Sequence, residues 1–208
     1  IFTNNVGSFE KMKLRMLNGT HSMLAYVGFH CGHRYVRDVM NDKVLSNLVN
    51  RHLQIAAQTL KPIKGIDYNN YAQSLVSRFS NPEIAHETFQ IAMDGSEKMQ
   101  QRIFYPLKDA ISLNLNVRPF AFAIAAWLRH ISQSYHDCAP YELRDPMADQ
   151  LTPLPKERSA HSISKYLSRI GLLVDDLKDD KMFWSQVSDI LNNMMCKPMK
   201  SIVEQEMI

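Results

Sequence analysis

Glycine is scarce in this chain, and what there is serves no dinucleotide. The seven glycines, at positions 7, 19, 28, 32, 65, 95 and 171, never take the GxGxxG spacing, the turn that lets backbone approach a pyrophosphate between a strand and a helix. Cysteine is equally sparse. Cys31, Cys138 and Cys196 lie far apart without CxxC spacing, which excludes a disulfide framework and a structural zinc site and fits a reducing, cytoplasmic setting. No apolar run approaches the roughly 18 to 20 residues that cross a bilayer. The opening IFTNNVGSFEK lacks the basic start and apolar stretch of a signal peptide, so no membrane partner is expected. There is also no run of five Lys/Arg, no aromatic RNP-like motif and no zinc-finger spacing, and the net charge of +3 is spread through mixed signs. These absences argue against nucleic acid. The chain begins without an initiator Met, as expected either after mature processing or for a segment that begins inside a longer protein.

What is present is apolar and helical. The 208 residues, 45% of them hydrophobic, suffice for one substantial core, and the chain reads as one domain over 1–208. Helical spacing dominates and strand-length alternation is absent, which predicts an all-α fold. Ser8 is the expected N-cap of a helix from about residue 9 into the low thirties, with Glu10 in its first turn. A second run covers about 43–60, and Asp67 is expected to cap a helix through Phe79. Asn81-Pro82 reads as a further helix start. Asp94-Gly95 reads as a corner where Ser96 caps the next helix, which continues to about Leu115. Pro119 opens PFAFAIAAWLRHISQ, apolar on nearly every face and so expected at the centre. Pro140, Pro146, Pro153 and Pro155 mark a long irregular connection before helices near 159–171, 181–195 and 198–206.

The chemistry concentrates in EKMKLRMLNGTHSML. On an α-helical wheel with Lys13 at zero, His21 falls near about 80° and Asn18 near about 140°. They share an arc with Leu14, Leu17, Leu24, Ala25 and Phe29, while Arg15, Ser22 and Tyr26 gather opposite. Two readings stand on this geometry. Lys13 snorkels to solvent while Asn18 and His21 satisfy backbone groups, or Lys13 sits in a partly desolvated pocket where its pKa falls from about 10.4 toward about 7 to 8. In the second reading Asn18 stabilises an oxyanion and His21 holds substrate. Gly28 and Gly32 recur one turn apart on the same arc, either for close helix packing or to leave ligand space. FHCGHRY brings His30, Cys31 and His33 close in sequence, but no fourth metal ligand is evident, and VDDLKDDK with Asp175, Asp176, Asp179 and Asp180 departs from the calcium-loop pattern. Trp127 and Trp184 read as packing residues.

KLRMLNGTHS resembles the K-x4-N-x2-H signature of the long-chain, metal-independent polyol and uronate dehydrogenases, the mannitol dehydrogenase family. The resemblance implies that Lys13 is the general acid/base, Asn18 the oxyanion partner and His21 a substrate ligand. RFSNPEIAHETFQIAMDGSEKMQQR resembles the same family's RF-NP through DGS-K segment, which implies a substrate contact for Lys98. Polyol members commonly carry an arginine eight residues before that lysine, where this chain has Gln90. That departure resembles the fructuronate reductases, or mannonate dehydrogenases, and favours a sugar acid. Lys98 and Arg102, and likewise His86 and Gln90, are four residues apart and expected to share helical faces. Arg102 is the candidate clamp for a carboxylate, the alternative being a surface arginine paired with solvent or an acidic neighbour, and His86 is either a substrate contact or a buried structural histidine.

The resemblance covers nearly the whole chain and corresponds to the C-terminal half of the family. It implies the fold of the 6-phosphogluconate dehydrogenase C-terminal domain, NAD held mainly by an N-terminal Rossmann domain of the same parent protein, no metal, and reversible hydride transfer between D-fructuronate and D-mannonate. Reduction implies hydride from NADH and a proton from Lys13. Alone, such a domain is expected not to turn over. Tagaturonate reduction, a mannitol-type polyol reaction and a non-catalytic helical interaction module are the alternatives.

Overall fold

The structure is a computed structural model that describes residues 6–132, 141–173 and 177–207. Cys138, Pro140, Asp175 and Asp176, on which expectations fall, lie outside the described residues. The fold is all-α, as expected: among the described residues the sole β contact is an isolated bridge between Tyr35 and Glu87.

The first helical stretch is one continuous rod in three parts. α1, Val6–Met12, passes into a π-helical segment, Lys13–Gly19, and then into α2, Thr20–His30. The rod begins before Ser8, so Ser8 lies inside α1 instead of capping it. Gly32, with φ of 82°, turns the chain into α3, Val36–Asn41, a helix the sequence pattern missed. Asp42 accepts from the amides of Val44 and Leu45 to start α4, Lys43–Gln58, and Asp67 caps α5, Tyr68–Phe79, as expected. Asn81-Pro82 does not start a helix. The Asn81 side chain accepts from Glu83 N in a tight turn, and the chain runs non-helically until the short α6, Thr88–Ala92.

Asp94, at φ 54°, turns the corner before α7, Gly95–Met99. The cap there is supplied from afar: Asp145 accepts from both the amide and the hydroxyl of Ser96. A second π segment, Gln100–Phe104, leads into α8, Tyr105–Ser112. α9, Arg118–Ile131, is buried from Pro119 through Ile131 and forms the expected centre. A single turn, α10, Ala148–Leu151, interrupts the proline-rich connection. α11, Ala160–Arg169, is capped by Ser159, and α12, Lys181–Cys196, by Asp180. α13, Met199–Glu206, ends the fold. α12 and α2 both pack on α9, and α6 packs on α2. Gly28 admits α3 closely, since a Cβ there would stand 2.3 Å from Val39 Cγ2. Close packing is therefore the role of Gly28.

Candidate functional site

The rod carrying the proposed catalytic residues is wound differently where they sit. In a π turn the hydrogen bond runs from residue i to i+5, so residues five apart come one turn round. Lys13 and Asn18 are such a pair within Lys13–Gly19, and they lie closer in azimuth than an α-helical wheel places them. π turns cost regular bonding and recur at functional sites. The K-x4-N spacing itself was the signal for this register.

The inward and outward faces also differ from the wheel. Lys13 is exposed and Asn18 half-buried, and neither side chain makes a hydrogen bond or ion pair among the described residues. The described residues thus do not supply the desolvated pocket expected around Lys13. Arg15, expected on the opposite face, is the buried cation of this rod. Its guanidinium donates to Thr59 O at 2.7 Å and meets Asp109 Oδ2 at 2.5 Å. Ser22 and Tyr26 are buried as well, because α2 is enclosed by α6 and α9 together.

His21 is the hub. Its ring packs 4.4 Å from Phe79 at the end of α5 and meets His86 edge-on at 5.5 Å. Burial, then the charges of His86, Arg78 and Arg102, lower its pKa from 6.5 to about 3. At neutral pH it is a neutral imidazole, able to donate from one nitrogen and accept at the other. Every charge acting on it is cationic or potentially so.

Arg102 projects from the second π segment and is half-buried, and its Nη1 donates to Ser22 Oγ at 3.0 Å. Burial lowers its pKa, opposed by the nearby Tyr26 phenol. No carboxylate pairs with Arg102 among the described residues. The two π segments touch: a Cβ on Gly19 would stand 2.7 Å from the carbonyl oxygen of Arg102.

His21, His86 and Arg102 are therefore brought together, and Arg78, Phe79, Ser22 and Tyr26 join them although the sequence reading did not select them. Ser22 and Tyr26 had a signal, being polar and four residues apart beside His21 on a rod otherwise rich in apolar residues. Lys98 and Gln90 are not drawn into this contact group. Lys98 Nζ donates to Met93 O at 2.6 Å and lies 3.4 Å from Asp94 Oδ2, while Gln90 is exposed on α6. The shared-face expectations fail for a local reason. His86 precedes α6 in extended backbone, where its carbonyl accepts from Val36 N, and Lys98 and Arg102 straddle the change from α to π winding.

His30 packs against His130 and Tyr141, and His33 lies 3.9 Å from Asp42. Among the described residues no three His, Cys, Asp or Glu side chains converge as a metal site. Nor do the described residues fit a dinucleotide: they form no strand leading into a glycine-rich turn.

An all-helical domain with a cationic, imidazole-bearing wall at the junction of two π segments is the class that this geometry defines. The chain belongs to the mannitol dehydrogenase C-terminal domain family, whose profile matches residues 5–195. It is 32% identical over 208 residues to the uncharacterized oxidoreductase YdfI of Escherichia coli strain K12, covering 96% of this chain and 42% of that protein. It is 35% identical over 189 residues to D-mannonate oxidoreductase of the same strain, covering 90% of this chain and 39% of that enzyme. The fold superposes with a TM-score of 0.90 and 26% identity on Pseudomonas fluorescens mannitol 2-dehydrogenase, solved as a ternary complex with NAD and D-mannitol, over 99% of this chain and 42% of that one. The chain thus spans about two-fifths of the length of the proteins it matches. No described helix is long and apolar enough to cross a membrane.

Proposed function

We propose that this chain supplies the substrate-binding and proton-transfer half of an NAD-dependent hexuronate oxidoreductase interconverting D-fructuronate and D-mannonate. The observation that carries the substrate class is Arg102, a half-buried guanidinium without a carboxylate partner among the described residues. A buried cation is costly unless paired, and a hexuronate brings the missing carboxylate in the planar form that a guanidinium grips. The similarity to D-mannonate oxidoreductase supports the same reading.

Lys13 Nζ is the proton donor to the substrate's carbonyl oxygen, and Asn18, one π turn on, donates a hydrogen bond to the charge developing there. His21, neutral and braced by Phe79 and His86, holds a sugar hydroxyl. His86 and Arg102 bind the acid end, with Lys98 and Gln90 as outer contacts. The redox partner is a nicotinamide held by a Rossmann domain of the parent protein. The exposure of Lys13 is consistent with a site closed only when that domain covers it.

The test is NADH oxidation by the intact parent protein with D-fructuronate, D-tagaturonate and D-fructose. Fructuronate is expected to be preferred, and Lys13→Met to lower kcat by at least about 100-fold, the scale of a lost general acid. Undiminished turnover in Lys13→Met would remove Lys13 from proton transfer. Preference for fructose would replace the acid reading by a polyol one. Failure to bind NADH would favour a non-catalytic interaction module.

A further inference from the structure

We propose that Ser22 is the positioning residue that sets Arg102 for the substrate carboxylate, so that selection for a sugar acid is governed from the same rod that carries the proton donor. The proposal rests on the hexuronate reading above and adds a residue to it. Two contacts made by that rod hold Arg102 from opposite ends. At the backbone, Gly19 lets the Arg102 carbonyl come so close that a Cβ would lie 2.7 Å from its oxygen. At the side chain, Ser22 Oγ accepts from Nη1 at 3.0 Å. Ser22 is only 1% exposed, so its hydroxyl is fixed by its surroundings and has little freedom to follow a wandering arginine.

A guanidinium has five N–H donors in a rigid plane. Tying one nitrogen to Ser22 fixes the direction of the others, which is what bidentate carboxylate binding requires. Ser22 follows His21 directly, so the same stretch of helix carries the imidazole and aims the cation. Tyr26 lies one turn further along α2, and burial pushes its phenol up, which keeps it neutral beside Arg102. Without the Ser22 hydroxyl, Arg102 keeps its charge but loses its anchored orientation, and the cost falls on acid binding and leaves proton transfer intact.

A double-mutant cycle in the intact parent protein tests this, with Ser22→Ala, Arg102→Gln and the double variant assayed for fructuronate reduction with saturating NADH. Ser22→Ala is expected to lower kcat/KM about tenfold through KM, with kcat within about twofold, the scale of one hydrogen bond to a charged group. In the Arg102→Gln background the same change is expected to lower kcat/KM less than about twofold, because a residue acting only through Arg102 has nothing left to act through. An equal loss in both backgrounds, or a loss in kcat instead of KM, would overturn the proposal and leave Ser22 a packing residue. A wild type that reduces no hexuronate but is active on fructose would overturn the proposal and the reading beneath it together, so the two failures are told apart by the wild type alone.

Discussion

Lys13 and Arg15 are two residues apart and carry the same charge, yet one faces solvent and the other is nearly sealed, at 2% exposure. The wheel assigned them the other way round, because it ranks positions by the apolarity of their neighbours and has no knowledge of distant partners. Thr59 O and Asp109 are those partners for Arg15, 44 and 94 residues along the chain. Arg15→Ala is expected to destabilise the protein by about 2 to 3 kcal/mol, since it strands a buried carbonyl and leaves a void where the stem packed. Urea unfolding measures this. The site residues divide in the same manner: His21 and its neutrality depend on Phe79 and His86 from elsewhere in the chain, whereas the Lys13–Asn18 relation is local and was legible as a spacing.

At the scale of elements, helices opened by a side-chain cap were read well. Asp67 and Asp180 accept amide hydrogens at the expected starts of α5 and α12, and Ser159 does so for α11. Asn81-Pro82 carries the same local chemistry but caps only a turn, because the following segment is pulled extended to meet Arg34 and Val36 through Thr88 N and His86 O. The π segments, which join the rod to the Arg102 strand of helix, escape a fixed 100° periodicity altogether. Their contact makes a sharp prediction about glycine. Gly19→Ala must displace a backbone carbonyl and is expected to cost about 1 to 3 kcal/mol. Gly7→Ala, in α1 with nothing within 4 Å of the added Cβ, is expected to stabilise by about 0.4 to 1 kcal/mol through the unfolded chain. Thermal unfolding of both variants distinguishes a packing glycine from an incidental one.

At the scale of the whole molecule, four histidines among the described residues are held neutral by the core. Burial is the largest cause in each case, taking His21, His30, His52 and His130 from 6.5 to about 3, 2, 4 and 4. The unfolded chain then binds more protons than the folded one below pH 6.5, so stability is whole above that pH and is lost as pH falls toward the folded values. The unfolding midpoint is expected to drop by more than about 10 °C between pH 7 and pH 5; a flat profile would contradict the burial of these imidazoles. Helical class, the central place of α9 and the K-x4-N-x2-H spacing were decided by the sequence alone, because periodicity, caps and local register are properties of neighbours along the chain. Which cation is buried, which histidines are neutral, and that Ser22 and Gly19 grip Arg102 were decided only by the tertiary structure. Desolvation and partner geometry are set by residues that come together from distant parts of the chain when α2 is enclosed by α6 and α9.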